Sequence, residues 1–332
     1  MSTQAPRIRP RRQWLRRIAT VLVCGLAALQ LLGWFTAGPE VGHFRSPDDR
    51  TAYATAYQEA LASMPAPTRI DDVPTSYGTV RVYEWRNDEA TGDPVVLLPG
   101  RGSGVPMWSE NLPSLLGERT VIAVDAIGDA GMSTQSVPIT DMAAQAAWID
   151  EALTGIGVER AHVVGHSFGG ASAAALALAH PERVATLTLL EPAFVLGHPP
   201  LETLLWSIPA SLPFLPQPWR DAALLKMSGE EPGSLDPADP VARMILRGGS
   251  GYSASLPIPE PLADDELRGL PMPVYIALAE ESPITQGAAS QPKTELIPNA
   301  TVKVWPGTTH SLPMQVVEPL SAELLAFWAA QE

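Results

Sequence analysis

Cysteine is almost missing from this sequence. Cys24 is the sole one in 332 residues, which excludes an intrachain disulfide and a cysteine-based zinc site. Histidine is sparse and scattered, at 43, 162, 166, 180, 198 and 310, with no H-E-x-x-H or H-x-H cluster. The sequence therefore offers no metal-binding motif and implies neither metal nor cofactor. Basic charge is short as well: Lys and Arg total 22 against 36 Asp and Glu, a formal net charge of −14. A nucleic-acid binder needs a basic footprint, so that class is excluded. Internal repeats and low-complexity tracts are absent. What is present is 45% hydrophobic residues and 17% charged ones, enough to bury a sizeable core in one large or two modest domains.

Long apolar runs are absent too, with one exception. Residues 18–35 carry no charge and are broken by Gln30; as a helix they would span about 27 Å, close to a bilayer's hydrocarbon thickness. Six arginines and no acid precede or surround this run within residues 1–38. Trp34 and Phe35 stand at its far end, where aromatic rings favour the interface. The arrangement predicts a segment with its N-terminus inside and the body outside. A cleaved signal peptide and an uncleaved signal anchor both fit; the anchor is favoured because cleavage after Thr36-Ala37-Gly38 would leave Pro39 directly behind the cut. The expected location is the cell membrane with an extracytoplasmic body, or secretion if the segment is cleaved.

The body alternates in period. A connector with one amphipathic helix around 48–61 fills residues 39–72, ended by Pro65 and Pro67. Residues 77–85 alternate apolar and polar, as a strand with one exposed face does. Short continuous apolar runs follow at 94–98, 120–124, 161–164, 185–190, 274–278 and 301–304, with helical stretches at 141–153, 168–179 and 319–329. Buried strands alternating with helices predict a mostly parallel sheet covered on both faces. Residues 192–273 break the alternation. They lack strand signals and are rich in proline, leucine and tryptophan, and so read as a helical cap inserted between core segments 73–191 and 274–332.

The strongest chemical signal is Gly165-His166-Ser167-Phe168-Gly169-Gly170. A serine on a sharp strand-to-helix turn needs glycines where backbones crowd, and here a buried strand precedes and an alanine-rich helix follows. Ser167 is the candidate nucleophile. A serine needs a general base, and His310 sits after the last strand and before the last helix. His166 reads as a packed neighbour, and the other histidines as surface or core residues. Asp125 and Asp129 read as loop braces.

With these motifs the chain resembles the α/β-hydrolase family over roughly residues 75–330. Leu98-Pro99-Gly100-Arg101-Gly102 is similar to the family's oxyanion loop, with Pro99 where histidine is commoner. Residues 124–133, including Asp125 and Gly128 to Ser133, resemble its aspartate–glycine–serine loop. His180-Pro181-Glu182-Arg183-Val184 resembles the segment before its sixth strand, and Pro306-Gly307-Thr308-Thr309-His310 resembles its histidine loop. The flanks look most like extracytoplasmic actinobacterial members. The resemblance implies an eight-stranded, mostly parallel sheet with a cap after the sixth strand, and an oxyanion hole built from the backbone N–H groups of Arg101 and Phe168.

The acid departs from the family pattern. Ala279-Glu280-Glu281-Ser282-Pro283 sets Ser282 where members often carry aspartate. Two carboxylates could substitute: Glu191, at the end of the sixth strand where haloalkane dehalogenases of the same fold carry theirs, and Glu281. The implied activity is that of a serine hydrolase acting on a small-molecule carboxylic ester, with the apolar cap pointing to a hydrophobic substrate. Amide or peptide hydrolysis, a haloperoxidase-like reaction, and a catalytically silent ligand-binding fold are the competing readings.

Overall fold

The computed structural model describes residue 25 and residues 41–332 apart from 213, 232, 234, 235 and 237. The segment 1–38, expected to meet the membrane, lies outside the described residues except for residue 25. Among the described residues no helix is long and apolar enough to cross a membrane.

The first strand, β1 (His43–Phe44), is followed by α1 (Pro47–Ala62). Ser46 starts this helix by accepting the Asp49 N–H at 3.0 Å, with proline and two aspartates in the first turn, groups suited to the orphan amides there. Its inner face is Tyr53, Ala56, Tyr57 and Ala60, spaced as one helical stripe.

Next come β2 (Arg69–Thr75), β3 (Gly78–Trp85), β4 (Val95–Leu98), α2 (Leu112–Leu116), β5 (Val121–Val124), the two-residue β6 (Thr134–Gln135) and α3 (Met142–Gly155). Then follow β7 (Ala161–His166), α4 (Phe168–Ala179) and β8 (Val184–Leu190). The sheet runs β11-β10-β8-β7-β4-β5-β3-β2, with β6 paired to β3 off this path. Here β10 is Val274–Ala279 and β11 is Ala300–Trp305. The six strands from β11 to β5 are parallel, and β2, β3 and β6 pair antiparallel. Every residue of β4, β5, β7, β8 and β10 is buried, as expected when helices cover both faces. Along β4, Val96 and Leu98 join one core layer with Trp148 and Leu187, while Val95 and Leu97 join the other with Trp108 and Trp328.

Two parts differ from the sequence expectation. β2 extends the sheet where only a connector was expected to residue 72. It is an edge strand, polar but for Val73 and Ile70, with Pro74 inside it. Such a strand needs no alternating apolar signal and tolerates proline. The other difference is at the end of the expected cap. Between β8 and β10 stand α5 (Leu201–Ser211), α6 (Gln217–Ser228), α7 (Pro240–Gly251), the short β9 (Tyr252–Ser253) and α8 (Asp264–Arg268). Leu267, Leu270 and Met272 pack into the core layer of the sheet, so the stretch around α8 belongs to the core rather than to the helical excursion.

The chain closes with α9 (Gln291–Thr294), α10 (Leu312–Gln315) and α11 (Val317–Ala329). From β4 the chain passes to β5 on one side and later to β7 on the other. That reversal opens a crevice at the carboxyl ends of β4 and β7, the place where open parallel sheets bind ligands.

Candidate active site

Ser167 stands at that crevice, between the end of β7 and the first turn of α4. Its backbone is left-handed, φ 54° and ψ −120°, a region that costs a non-glycine residue of order 1–3 kcal/mol and persists only where surroundings over-determine it. They do so here. Its N–H donates to the Leu190 carbonyl at 3.1 Å, and its carbonyl accepts from Gly170 at 3.0 Å and Ala193 at 3.1 Å. The flanking glycines answer to space. A Cβ on Gly165 would fall 2.3 Å from the Gly169 carbonyl oxygen, and one on Gly169 2.4 Å from the carbonyl oxygens of Leu98 and Pro99.

His310 arrives on the loop between β11 and α10. Its Nε2 lies 2.8 Å from Ser167 Oγ, and its Nδ1 3.1 Å from Glu191 Oε2. Glu191 follows β8, is fully buried, and has φ 49°. Its other oxygen, Oε1, accepts the Ala279 N–H and the Thr285 hydroxyl, both at 2.6 Å. A buried carboxylate is tolerable only when so supplied with donors. The carboxylate brought to His310 is therefore Glu191. Glu281 is exposed, and its contribution is a backbone N–H donated to the Thr308 carbonyl at 2.9 Å. Ser282, in the position where an acid was sought, is buried. Its Oγ accepts from the N–H groups of Ile284 at 3.1 Å and Thr285 at 3.4 Å, which shapes the turn that delivers Thr285 to Glu191.

The amides of Arg101 and Phe168 both border the nucleophile. The Phe168 N–H is the first of α4 and so lacks an intrahelical acceptor; no backbone acceptor among the described residues takes either N–H. A Cβ on Gly100 would fall 2.8 Å from His166 Nδ1 and 3.2 Å from Ser167 Cβ, so glycine lets the Arg101 loop approach this closely. The Arg101 side chain is exposed, with its guanidinium 5.7 Å from the centre of the Phe168 ring.

Further residues support these groups. Asp129 Oδ2 accepts the Gly102 N–H at 2.8 Å and pins the Arg101 loop. Burial raises the Asp129 carboxyl above its usual range, against the charge of Arg101 and its own amide donors. Asp125 Oδ1 accepts from the Val105 N–H at 2.8 Å, while Oδ2 accepts from the Met132 N–H at 2.7 Å and the Tyr57 hydroxyl at 2.8 Å. Both aspartates brace loops, as the sequence suggested. His166 is buried with its ring 4.9 Å from that of His310, and its Nε2 lies 2.9 Å from the His310 carbonyl oxygen. Burial, then the nearby His310, push the His166 imidazole down to about 3. It is therefore neutral and donates Nε2–H to that carbonyl. From the helical excursion, Ser228 accepts the His310 N–H at 3.0 Å, and Glu230 accepts the Thr309 hydroxyl at 2.7 Å. No spacing rule points to these last two. Among the described residues no group of three or more His, Cys, Asp or Glu side chains is placed to hold a metal ion.

Residues 95–322 match the sequence model of the "Alpha/beta hydrolase family". The chain belongs to this family. It is a hydrolase with the family's mostly parallel sheet and flanking helices. Among curated relatives it is similar to carboxylesterase YbfK of Bacillus subtilis (strain 168), 23% identical over 301 residues, covering 86% of this chain and 96% of that protein. Among solved structures this hydrolase superposes on the naproxen esterase (carboxylesterase NP) from Bacillus subtilis with a TM-score of 0.76 at 21% identity, over 86% of this chain and 99% of that one. It superposes on a bacterial membrane phospholipase A with a TM-score of 0.67 at 20% identity, over 95% and 99% of the two chains.

Proposed function

We propose that this hydrolase cleaves carboxylic esters through an acyl-enzyme on Ser167. The observation that carries the reading is the continuous relay from Ser167 Oγ through both ring nitrogens of His310 to Glu191, with spacings of 2.8 and 3.1 Å. Ser167 Oγ attacks the ester carbonyl while His310 Nε2 takes its proton. The tetrahedral oxyanion forms beside the amides of Arg101 and Phe168. The imidazolium then gives its proton to the departing alcohol as the C–O bond breaks. Water, deprotonated by the same nitrogen, attacks the acyl-enzyme; the acyl C–Oγ bond breaks, His310 returns the proton to Ser167 Oγ, and the acid is released. Glu191 fixes the ring and stabilises its charged form. The carboxylesterase relatives support an ester as substrate. A hydrophobic acyl or alcohol part is read from the leucine- and tryptophan-rich composition of residues 192–273 as a whole, although the large apolar side chains of α5 lie on its outer face. Fastest turnover of esters with charged acyl groups would overturn that preference. Residues 1–38 serve as the membrane anchor of an extracytoplasmic body, a reading supported by their arginines and apolar run.

A fluorophosphonate probe on the full chain tests the nucleophile. Wild type should label and Ser167→Ala should not; labelling that survives the substitution refutes the assignment. Glu191→Gln should lower kcat by about 10⁴-fold, the scale for losing the orienting acid. Glu281→Gln should stay within about twofold, as a surface change does.

A further inference from the structure

Helix α5 is built inside out. Leu201, Leu204, Leu205 and Ile208 fall at i, i+3, i+4 and i+7, which is one helical face, and all four are exposed, Leu201 by 71%. The face turned inward carries Thr203 and Ala210, both buried. Thr203 donates its hydroxyl to the Pro283 carbonyl at 2.7 Å, so the small, polar side is the one fixed to the core. Phe214, on the turn into α6, and Trp219, in the first turn of α6, add apolar surface at 70% and 65% exposure. A monomeric soluble domain seldom leaves such a contiguous patch to water. Leucines on one face with Phe and Trp at its border are the composition of a surface that lies in a lipid interface.

The route of the chain says which surface this is. β1 pairs with β9, His43 opposite Ser253 and Phe44 opposite Tyr252, directly after α7, which packs on both α5 and α6. The described body therefore begins, at β1, beside the helices that bear the apolar face. Only seven residues, 36–42, separate the apolar run 18–35 from β1, a length of chain that spans at most about 25 Å. The remainder of the chain beyond residue 38 carries a net charge of −20, which opposes attraction to anionic headgroups and leaves apolar contact as the driving term.

We infer that the outer face of α5 with Phe214 and Trp219 seats the body on a phospholipid bilayer. This brings the crevice to esters dispersed in the membrane, and it rests on the proposed anchor and ester reading for its consequence. The test uses the full chain in phosphatidylcholine vesicles, with Cys24→Ser as background and a nitroxide on Leu205→Cys. A second label on Asp88→Cys, in the exposed turn before β4 at the opposite end of the strands, serves as reference. Collisions with aqueous nickel chelate should be at least fivefold rarer at 205 than at 88, with oxygen collisions enriched at 205. Equal nickel access at the two positions overturns the proposal. So does a label at 205 shielded from both reagents and broadened by a neighbouring spin, which would assign the face to a second copy of the chain. The same measurement on Ser167→Ala reads docking without catalysis, so a failed ester reading and a failed docking face give different results. With activity as readout, Leu205→Glu should lower turnover of a vesicle-dispersed ester at least tenfold relative to a water-soluble one.

Discussion

His166 occupies the residue beside the nucleophile and does its work uncharged. Its ring is buried against His310, which becomes positive during each half-reaction of the proposed mechanism. A second imidazolium there would oppose that charge, and burial holds His166 down to about 3. The sign of the stability effect follows. The unfolded chain binds a proton on this ring near 6.5 and the folded one does not, so its contribution is full above that value and is lost as pH falls toward 3. Wild type should therefore lose stability relative to His166→Asn on acidification. The difference should grow by about 2 kcal/mol between pH 6.5 and 5, at roughly 1.4 kcal/mol per unit. Urea midpoints of both proteins at the two pH values measure it.

At the scale of elements, α6 links the helical excursion to the base. Its first turn carries the exposed Trp219, and its C-terminal end accepts the His310 N–H at Ser228. Glu230, just beyond, accepts from the Thr309 hydroxyl at 2.7 Å and from Gln315 Nε2 at 3.0 Å. The histidine loop is thus held by an element outside the sheet. Glu230→Ala should loosen the loop and lower kcat on a soluble ester by about tenfold, the scale of one or two hydrogen bonds to a charged group, with KM little changed. Steady-state kinetics separates the two parameters. A rise in KM alone would mean that the residue serves substrate entry rather than the base.

Across the whole molecule, buried carboxylates and buried histidines pull the pH profile in opposite directions. Asp125 is pushed up to about 6 by burial, against its amide and Tyr57 donors. The folded state binds its proton more tightly than the unfolded state, whose value is near 3.8. Its contribution is therefore full below about 4 and lost as pH rises through 6, by about 3 kcal/mol in all. The stability of wild type relative to Asp125→Asn should fall between pH 4.5 and 7 and then level off, as thermal unfolding across that range would show.

Much of this molecule is legible from local pattern. The Gly165–Gly169 turn announces itself because the crowding around Ser167 is satisfied within a few residues of it. The central strands do so because both their faces are buried and their runs are unbroken. What depends on distant register is not legible. Glu191 and Glu281 look alike in the sequence. Glu191 reaches His310 because β8 lies beside β10 with Leu190 opposite Ala277, which sets its carboxylate under the Ala279 amide. β2 stays hidden because an edge strand made of charged residues and a proline carries no hydrophobic period.

The nucleophile and its acid belong to a single strand–helix–strand unit, β7-α4-β8, tied by the bond from the Ser167 N–H to the Leu190 carbonyl. Only the imidazole is brought from far along the chain. The base is thus the one detachable component of the relay, and chemical complementation becomes feasible. His310→Gly should keep Ser167 and Glu191 in register and leave a slot the shape of the missing ring between them. Added imidazole should restore ester turnover in a saturable manner in that protein. Imidazole should restore nothing when Glu191→Gln is also present, since the guest ring would then have no carboxylate to orient it.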